Sequence, residues 1–166
     1  MYVSKQKRSV ILLKSLVAYF SVSGTTGTMA GKLADAVGAD VFEIRPVDPY
    51  SDADIKWTNP VARCNREKLG KKDVPVVGAV ENWDQYDFIY LGFPIWYYGA
   101  PNIIQTFCKG YDWTGKKVFL FATSGSSEIG KTAEKLAPFM KGDPEIVHAE
   151  VFQLSSELIE VAEIYT

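Results

Sequence analysis

The sequence predicts a doubly wound, three-layer α/β domain, a parallel sheet covered by helices on both faces. Three observations carry this. Short, β-rich apolar runs recur along the chain. Segments with helical spacing lie between them. The runs are nearly continuously apolar, as strands buried on both faces must be.

The first run is Val10–Phe20, which ends at a Ser/Gly/Thr cluster. Residues 25–37 then place Met29, Ala30, Leu33, Ala34 and Val37 on one helical face. Gly38 follows where a left-handed end is easiest. Val41–Arg45, Phe88–Phe93, Val118–Ala122 and Ile146–Phe152 read as the other four strands. Pro101–Lys109 reads as a helix that opens on proline and stops at Gly110. A further helix is expected over 127–137, starting from Ser126 or Ser127 and meeting Pro138. Ser155–Tyr165 reads as the last, with Leu158, Val161, Ala162 and Tyr165 inward.

Segment 46–86 is irregular. It holds Pro46, Pro49, Pro60 and Pro75, with Trp57 and Trp83. Ser51 with Asp54 could open one helix there, and Asn59-Pro60 another that runs to about Leu69. The chain thus divides into a basic tail, 1–9, and one domain, 10–166, with an extended segment at about 46–86. The 166 residues fit one domain.

Composition narrows the function. Eighteen basic and 20 acidic side chains leave a net charge of −2. Lys5, Lys7, Arg8 and Lys14 sit in the first fourteen residues, which carry no acid, so the remainder holds 14 basic against 20 acidic, a balance of −6. No basic stripe exists, so nucleic acid is not an expected partner. No run of eighteen apolar residues exists, so no membrane span is expected. A secretory leader is disfavoured because Lys14 interrupts the apolar run and no A-x-A-like site follows. Cys64 and Cys108 make no disulfide framework, and a reducing cytoplasm suits them. Metal-ligand clusters are missing, and His148, the one histidine, reads as structural.

In an open parallel sheet, ligands bind beyond the carboxyl ends of the strands. Three loops there are unlike ordinary turns. In Ser21-Val22-Ser23-Gly24-Thr25-Thr26-Gly27-Thr28, five of eight residues are hydroxylic, two are Gly and none is charged. Such a loop at a helix N-terminus can surround a phosphate with N–H and hydroxyl donors. Walker A spacing fails, because Gly27 to Gly31 is one residue short and Leu33 follows Lys32. The dinucleotide G-x-G-x-x-G spacing fails too, with glycines at 24, 27 and 31. The second loop, Gly92-Phe93-Pro94-Ile95-Trp96-Tyr97-Tyr98-Gly99, has three consecutive aromatics that a planar ligand would account for. The third, Thr123-Ser124-Gly125-Ser126-Ser127, is small and rich in backbone donors. Together they describe a ligand with a phosphate at one end and a flat aromatic body at the other.

On these residues the chain resembles the flavodoxin family over about 11–155. Tyr19-Phe20-Ser21-Val22-Ser23-Gly24-Thr25-Thr26 is similar to its FMN phosphate loop, and the second and third loops are similar to its two flavin-ring loops. The resemblance implies a five-stranded parallel sheet in order 2-1-3-4-5, non-covalent FMN and redox transfer through the flavin. It assigns Ser21, Val22, Ser23, Gly24, Thr25 and Thr26 to the phosphate. It assigns Pro94, Ile95, Trp96 and Tyr97 to the ribityl chain and ring, with Trp96 or Tyr97 stacking. It assigns Ser124, Gly125 and Ser126 to the far edge of the ring. The third loop lacks a second stacking aromatic, so Tyr50 or Trp57 could cover that face. Three functions follow. The first is an electron carrier between redox partner proteins. The second is an FMN-dependent NAD(P)H oxidoreductase acting on a small acceptor such as a quinone. The third is a flavodoxin-shaped binding module without redox turnover.

Overall fold

A computed structural model describes residues 13–166. The expected tail 1–9 and the start of the first expected strand lie outside the described residues. Five strands, β1 (Ser15–Tyr19), β2 (Asp40–Glu43), β3 (Phe88–Pro94), β4 (Lys117–Thr123) and β5 (Glu145–Val151), form one sheet. All neighbours are parallel and the order is β2-β1-β3-β4-β5, as expected.

Alternation along the strands builds two cores. Leu16 and Ala18, Ile89, Leu91 and Phe93, and Val118, Leu120 and Ala122 face one side. Val17, Phe88, Tyr90, Phe119 and Phe121 face the other. Helix α1 (Thr25–Val37) brings Met29, Ala30, Leu33 and Ala34 to the second face, and α5 (Ser155–Glu163) adds Leu158 and Ala162. The first face is covered by α3 (Asn102–Lys109), through Ile103, Ile104 and Phe107, and by Trp83 and Tyr86 from the extended segment. Gly92 is required on the second face. A Cβ there would lie 2.1 Å from Phe121 Cζ. The missing side chain is the space that the Phe121 ring fills.

Some boundaries differ from the sequence reading. β1 begins at Ser15, after Lys14, whose N–H donates to the Asp87 carboxylate and whose carbonyl accepts the Asp87 N–H. β2 ends at Glu43. Beyond it the backbone leaves for the extended segment, where Pro46 bridges Val76 in antiparallel fashion. The helix expected over 127–137 is shorter: α4 spans Thr132–Leu136, followed by a 3-10 turn at Ala137–Phe139. Ser124 Oγ accepts the N–H groups of Ser126 and Ser127, holding them in a loop, and Gly130 turns the chain at φ 50°.

The extended segment, expected to hold one or two helices and a surface loop, carries one α-helix, α2 (Arg63–Gly70), and a 3-10 turn at Trp83–Gln85. Ser51 and Asp54 do bond reciprocally, Ser51 N–H to Asp54 Oδ2 at 2.8 Å and Asp54 N–H to Ser51 Oγ at 3.3 Å. They close a turn rather than opening a helix. Asn59-Pro60 likewise forms a turn, and α2 starts three residues after the proline. Buried Asn102, the first residue of α3, fastens the end of α2 to that helix, donating from Nδ2 to the carbonyls of Glu67 and Lys72. The segment therefore lies over the carboxyl end of the sheet beside the aromatic turn.

Candidate functional site

The Ser21–Thr28 loop leaves β1 and enters α1 through Gly24, whose φ of 92° is a conformation that glycine adopts at least cost. Gly24 N–H donates to Ser21 Oγ at 3.1 Å, and Thr28 Oγ1 donates back to the Gly24 carbonyl at 2.9 Å. No side chain caps the helix. The first-turn N–H groups have no intrahelical acceptors and point out of the loop. A Cβ at Gly24 or Gly125 would meet nothing within 4 Å, so both loops leave open space.

A cavity of about 400 Å³ lies against this loop. Ser23 lines it from the loop before α1 and Thr25 from the start of that helix, with Pro94 and Ile95 from the end of β3 and Ser124 and Gly125 from the loop after β4. Phe152 and Gln153, at the end of β5, complete it. Gln153 Nε2 donates to the Ser124 carbonyl at 2.9 Å and so holds the third loop. A second cavity, about 470 Å³, shares Ile95. Its walls are Trp96, Tyr97 and Tyr98 from the aromatic turn, Ser126 and Ser127 opposite, and Ile55, Trp57 and Cys64 from the extended segment. Among the described residues, no charged side chain lines either cavity.

The aromatic turn is a tight hairpin. Trp96 N–H donates to the Gly99 carbonyl at 2.9 Å and Gly99 N–H returns the bond at 3.1 Å. Its central residues, Tyr97 and Tyr98, have φ of 52° and 61°. Such turns ordinarily carry Asn-Gly. Two tyrosines there hold backbone strain, a pattern that gathers at ligand clamps. The Tyr97 hydroxyl donates to Asn65 Oδ1 and lies 3.4 Å from Cys64 Sγ. Burial, then the hydrogen bond and charge of Cys64, push the Tyr97 hydroxyl above the ordinary phenol value. It stays protonated through neutral pH.

The structure sorts the expected site residues. Ser23, Thr25, Pro94, Ile95, Ser124 and Gly125 line the first cavity, and Ile95, Trp96, Tyr97 and Ser126 the second. Thr26 is different: its side chain is buried and its hydroxyl bonds Thr123 across 2.8 Å. Ser21 and Val22 border a separate cavity of about 340 Å³, which lies on the β2 side beside Arg45 and Pro46. Trp96 is half-buried, its ring packed edge-on against Phe20 and Tyr50 at 5.6 and 5.4 Å. Tyr50 lines neither adjoining cavity. Its hydroxyl donates to Glu67 Oε2 at 2.5 Å and the Arg63 guanidinium lies 4.0 Å above its ring. Trp57 does line the second cavity. Gln153 and Phe152 went unnoticed in the sequence, although they follow the fifth strand at the carboxyl edge, where a ligand is expected. Asn65 had no sequence signal.

Among the described residues no group of three or more His, Cys, Asp or Glu could hold a metal ion, and no helix is long and apolar enough to cross a membrane. Cys64 and Cys108 are free and buried. The arrangement fits a phosphate at its neutral, donor-rich end and a flat ring at its aromatic end.

Comparison with known proteins agrees with this geometry. Among curated proteins, none matches the chain. Among solved structures, a candidate flavoprotein from Bacteroides eggerthii is 38% identical, with 92% of this chain and 96% of that one covered and a TM-score of 0.84. A second, from Bacteroides uniformis, is 34% identical, with 91% and 98% covered and a TM-score of 0.79. A Lactobacillus acidophilus flavoprotein solved in complex with FMN shares the fold at 23% identity, with 91% and 99% covered and a TM-score of 0.68. The Flavodoxin family model matches residues 14–160, from the foot of β1 into α5 and through all three loops. The chain belongs to the flavodoxin family.

Proposed function

We propose that this protein binds FMN non-covalently and transfers electrons through it. One observation carries the reading. Two adjoining, uncharged cavities lie at the carboxyl ends of β1, β3 and β4, one beside open helix N–H groups and one walled by aromatics. The flavin supplies reversible redox chemistry when bound, and the protein supplies binding and orientation. Ser23, Thr25 and the first-turn N–H groups of α1 hold the phosphate. Pro94 and Ile95 border the ribityl chain. Trp96, Tyr97 and Ser126 contact the ring, with Ser124 and Gly125 at the junction. Thr26 contributes its N–H, while its hydroxyl braces α1 against β4.

The test is a visible absorption spectrum of purified protein, followed by titration of the apoprotein with FMN and riboflavin. Flavin absorption and tighter binding of FMN than of riboflavin are expected. A colourless protein that ignores both flavins refutes the reading.

A specific feature favours direct reduction of a small acceptor over transfer to a redox partner protein. The ring cavity opens between two exposed aromatics, Trp57 and Tyr98, at 71% and 77% exposure, and the loop opposite has no aromatic. Rapid NAD(P)H oxidation with a quinone acceptor is the expected result for a reductase. Slow turnover with every small acceptor assigns the protein to the carrier class.

A further inference from the structure

Asn65 lies outside every expected site residue, yet it joins two walls of the ring cavity. Its Nδ2 donates to the carbonyls of Trp57 at 2.9 Å and Asn59 at 2.7 Å. Its Oδ1 accepts the Tyr97 hydroxyl. Both amide hydrogens and the amide oxygen are therefore used. Trp57 and Tyr97 line the same cavity from different parts of the chain. Cys64, the neighbour of Asn65 on α2, lines it as well and contacts the same hydroxyl.

This bridge is selective in what it holds. The Trp57 ring is largely exposed, so packing does little to fix its position. The Tyr97-Tyr98 backbone is strained, so the turn would relax if released. A single side chain that ties both segments sets the distance between them. We infer that Asn65 is a positioning residue that fixes the width of the flavin-ring slot and thereby controls ring affinity and solvent access. The inference rests on the placement of the ring in that cavity. It adds a residue of the extended segment, 37 residues after the phosphate loop and 27 before the aromatic one, to the machinery of the site.

The experiment compares wild type, Asn65→Ala and Tyr97→Phe by fluorescence titration with FMN and riboflavin, acrylamide quenching of bound flavin, and apoprotein melting. Asn65→Ala is expected to weaken FMN and riboflavin by the same factor, about tenfold, on the order of one or two net hydrogen bonds. Acrylamide should reach the bound flavin more readily. Tyr97→Phe releases only one wall and should shift the same readouts in the same direction by a smaller factor. It decides the question if Asn65→Ala fails to fold. A merely structural role would lower melting and leave quenching of the bound flavin unchanged. Wild-type behaviour of both flavins in a folded variant overturns the inference while the cofactor reading stands. So does a loss confined to FMN, which would place the effect at the phosphate end. A wild-type protein that binds neither flavin overturns the cofactor reading and this inference with it.

Discussion

The two ends of the site are built in opposite ways. The phosphate end is made of backbone and short hydroxylic side chains from one continuous loop. Its special conformation sits on Gly24, where glycine carries it at little cost. The ring end is assembled from four separate stretches of chain, and its special conformations sit on Tyr97 and Tyr98, where they cost energy. A phosphate looks alike from every side and needs donors. A ring has faces and edges and needs walls set at a distance. Local sequence can build the first, whereas only tertiary structure can build the second.

The largest expected effect strikes both ends together. Gly92→Ala would push a methyl to 2.1 Å from Phe121 Cζ, and the Phe121 ring is fully buried. Such overpacking should cost about 3 kcal/mol of stability. Urea unfolding would show it, and both flavins should be affected alike.

Gly24→Ala separates the ends. A Cβ there meets no neighbour, so the cost is conformational, about 1–2 kcal/mol at a left-handed position. The loop should relax and move its N–H groups. FMN should weaken about tenfold and riboflavin by less than about twofold, read by titration. Equal losses would erase the distinction between the ends.

Tyr98→Gly works on the ring end with the opposite sign. Relief of a positive φ should raise stability by about 0.5–1 kcal/mol after the entropy cost of a new glycine. Loss of an exposed aromatic wall should weaken both flavins by an equal, several-fold factor. Thermal melting and titration together check it. A protein made less stable by this change would mean the turn holds no strain.

The same contrast governs what could be read from the sequence. The phosphate loop was legible because its composition, position and helix start all lie within eight residues. The buried hydroxyl of Thr26 was legible too, in retrospect. Thr26 stands four residues before Ala30 and seven before Leu33, on the buried stripe of α1, so its side chain had to face inward. The order of the strands followed from the family resemblance, whereas their parallel direction was legible in apolar runs that alternate with helical segments. The start of β1 was not legible, because a β-rich run does not say where its partner strand begins. The late start of α4 was hidden because serines that look like a helix cap are used by Ser124 to close a loop. Asn65 was invisible. An amide side chain between an arginine and a cysteine says nothing of partners eight residues back and thirty-two ahead.

The smallest expected effect concerns pH, and it tests the neutrality of both ends. A phosphate monoester loses its second proton at about pH 6. The loop offers N–H and hydroxyl donors, which favour the dianion. FMN affinity should therefore be full above that value and fall as the pH drops through it. Riboflavin carries no phosphate, so its affinity should stay flat. At the ring end, burial and Cys64 raise the Tyr97 hydroxyl above its ordinary range, so its bond to Asn65 persists as the pH rises through neutral and moderately alkaline values. Among the described residues, no charged side chain lines either cavity to add a second transition. The FMN-to-riboflavin affinity ratio should thus fall a few-fold between about pH 7 and pH 5, in a single step set by the ligand. Parallel titrations of the two flavins across that range would measure it. A ratio that stayed constant would remove the phosphate from the Ser23–Thr26 loop, whereas a fall shared by both flavins would place a titrating group at the ring.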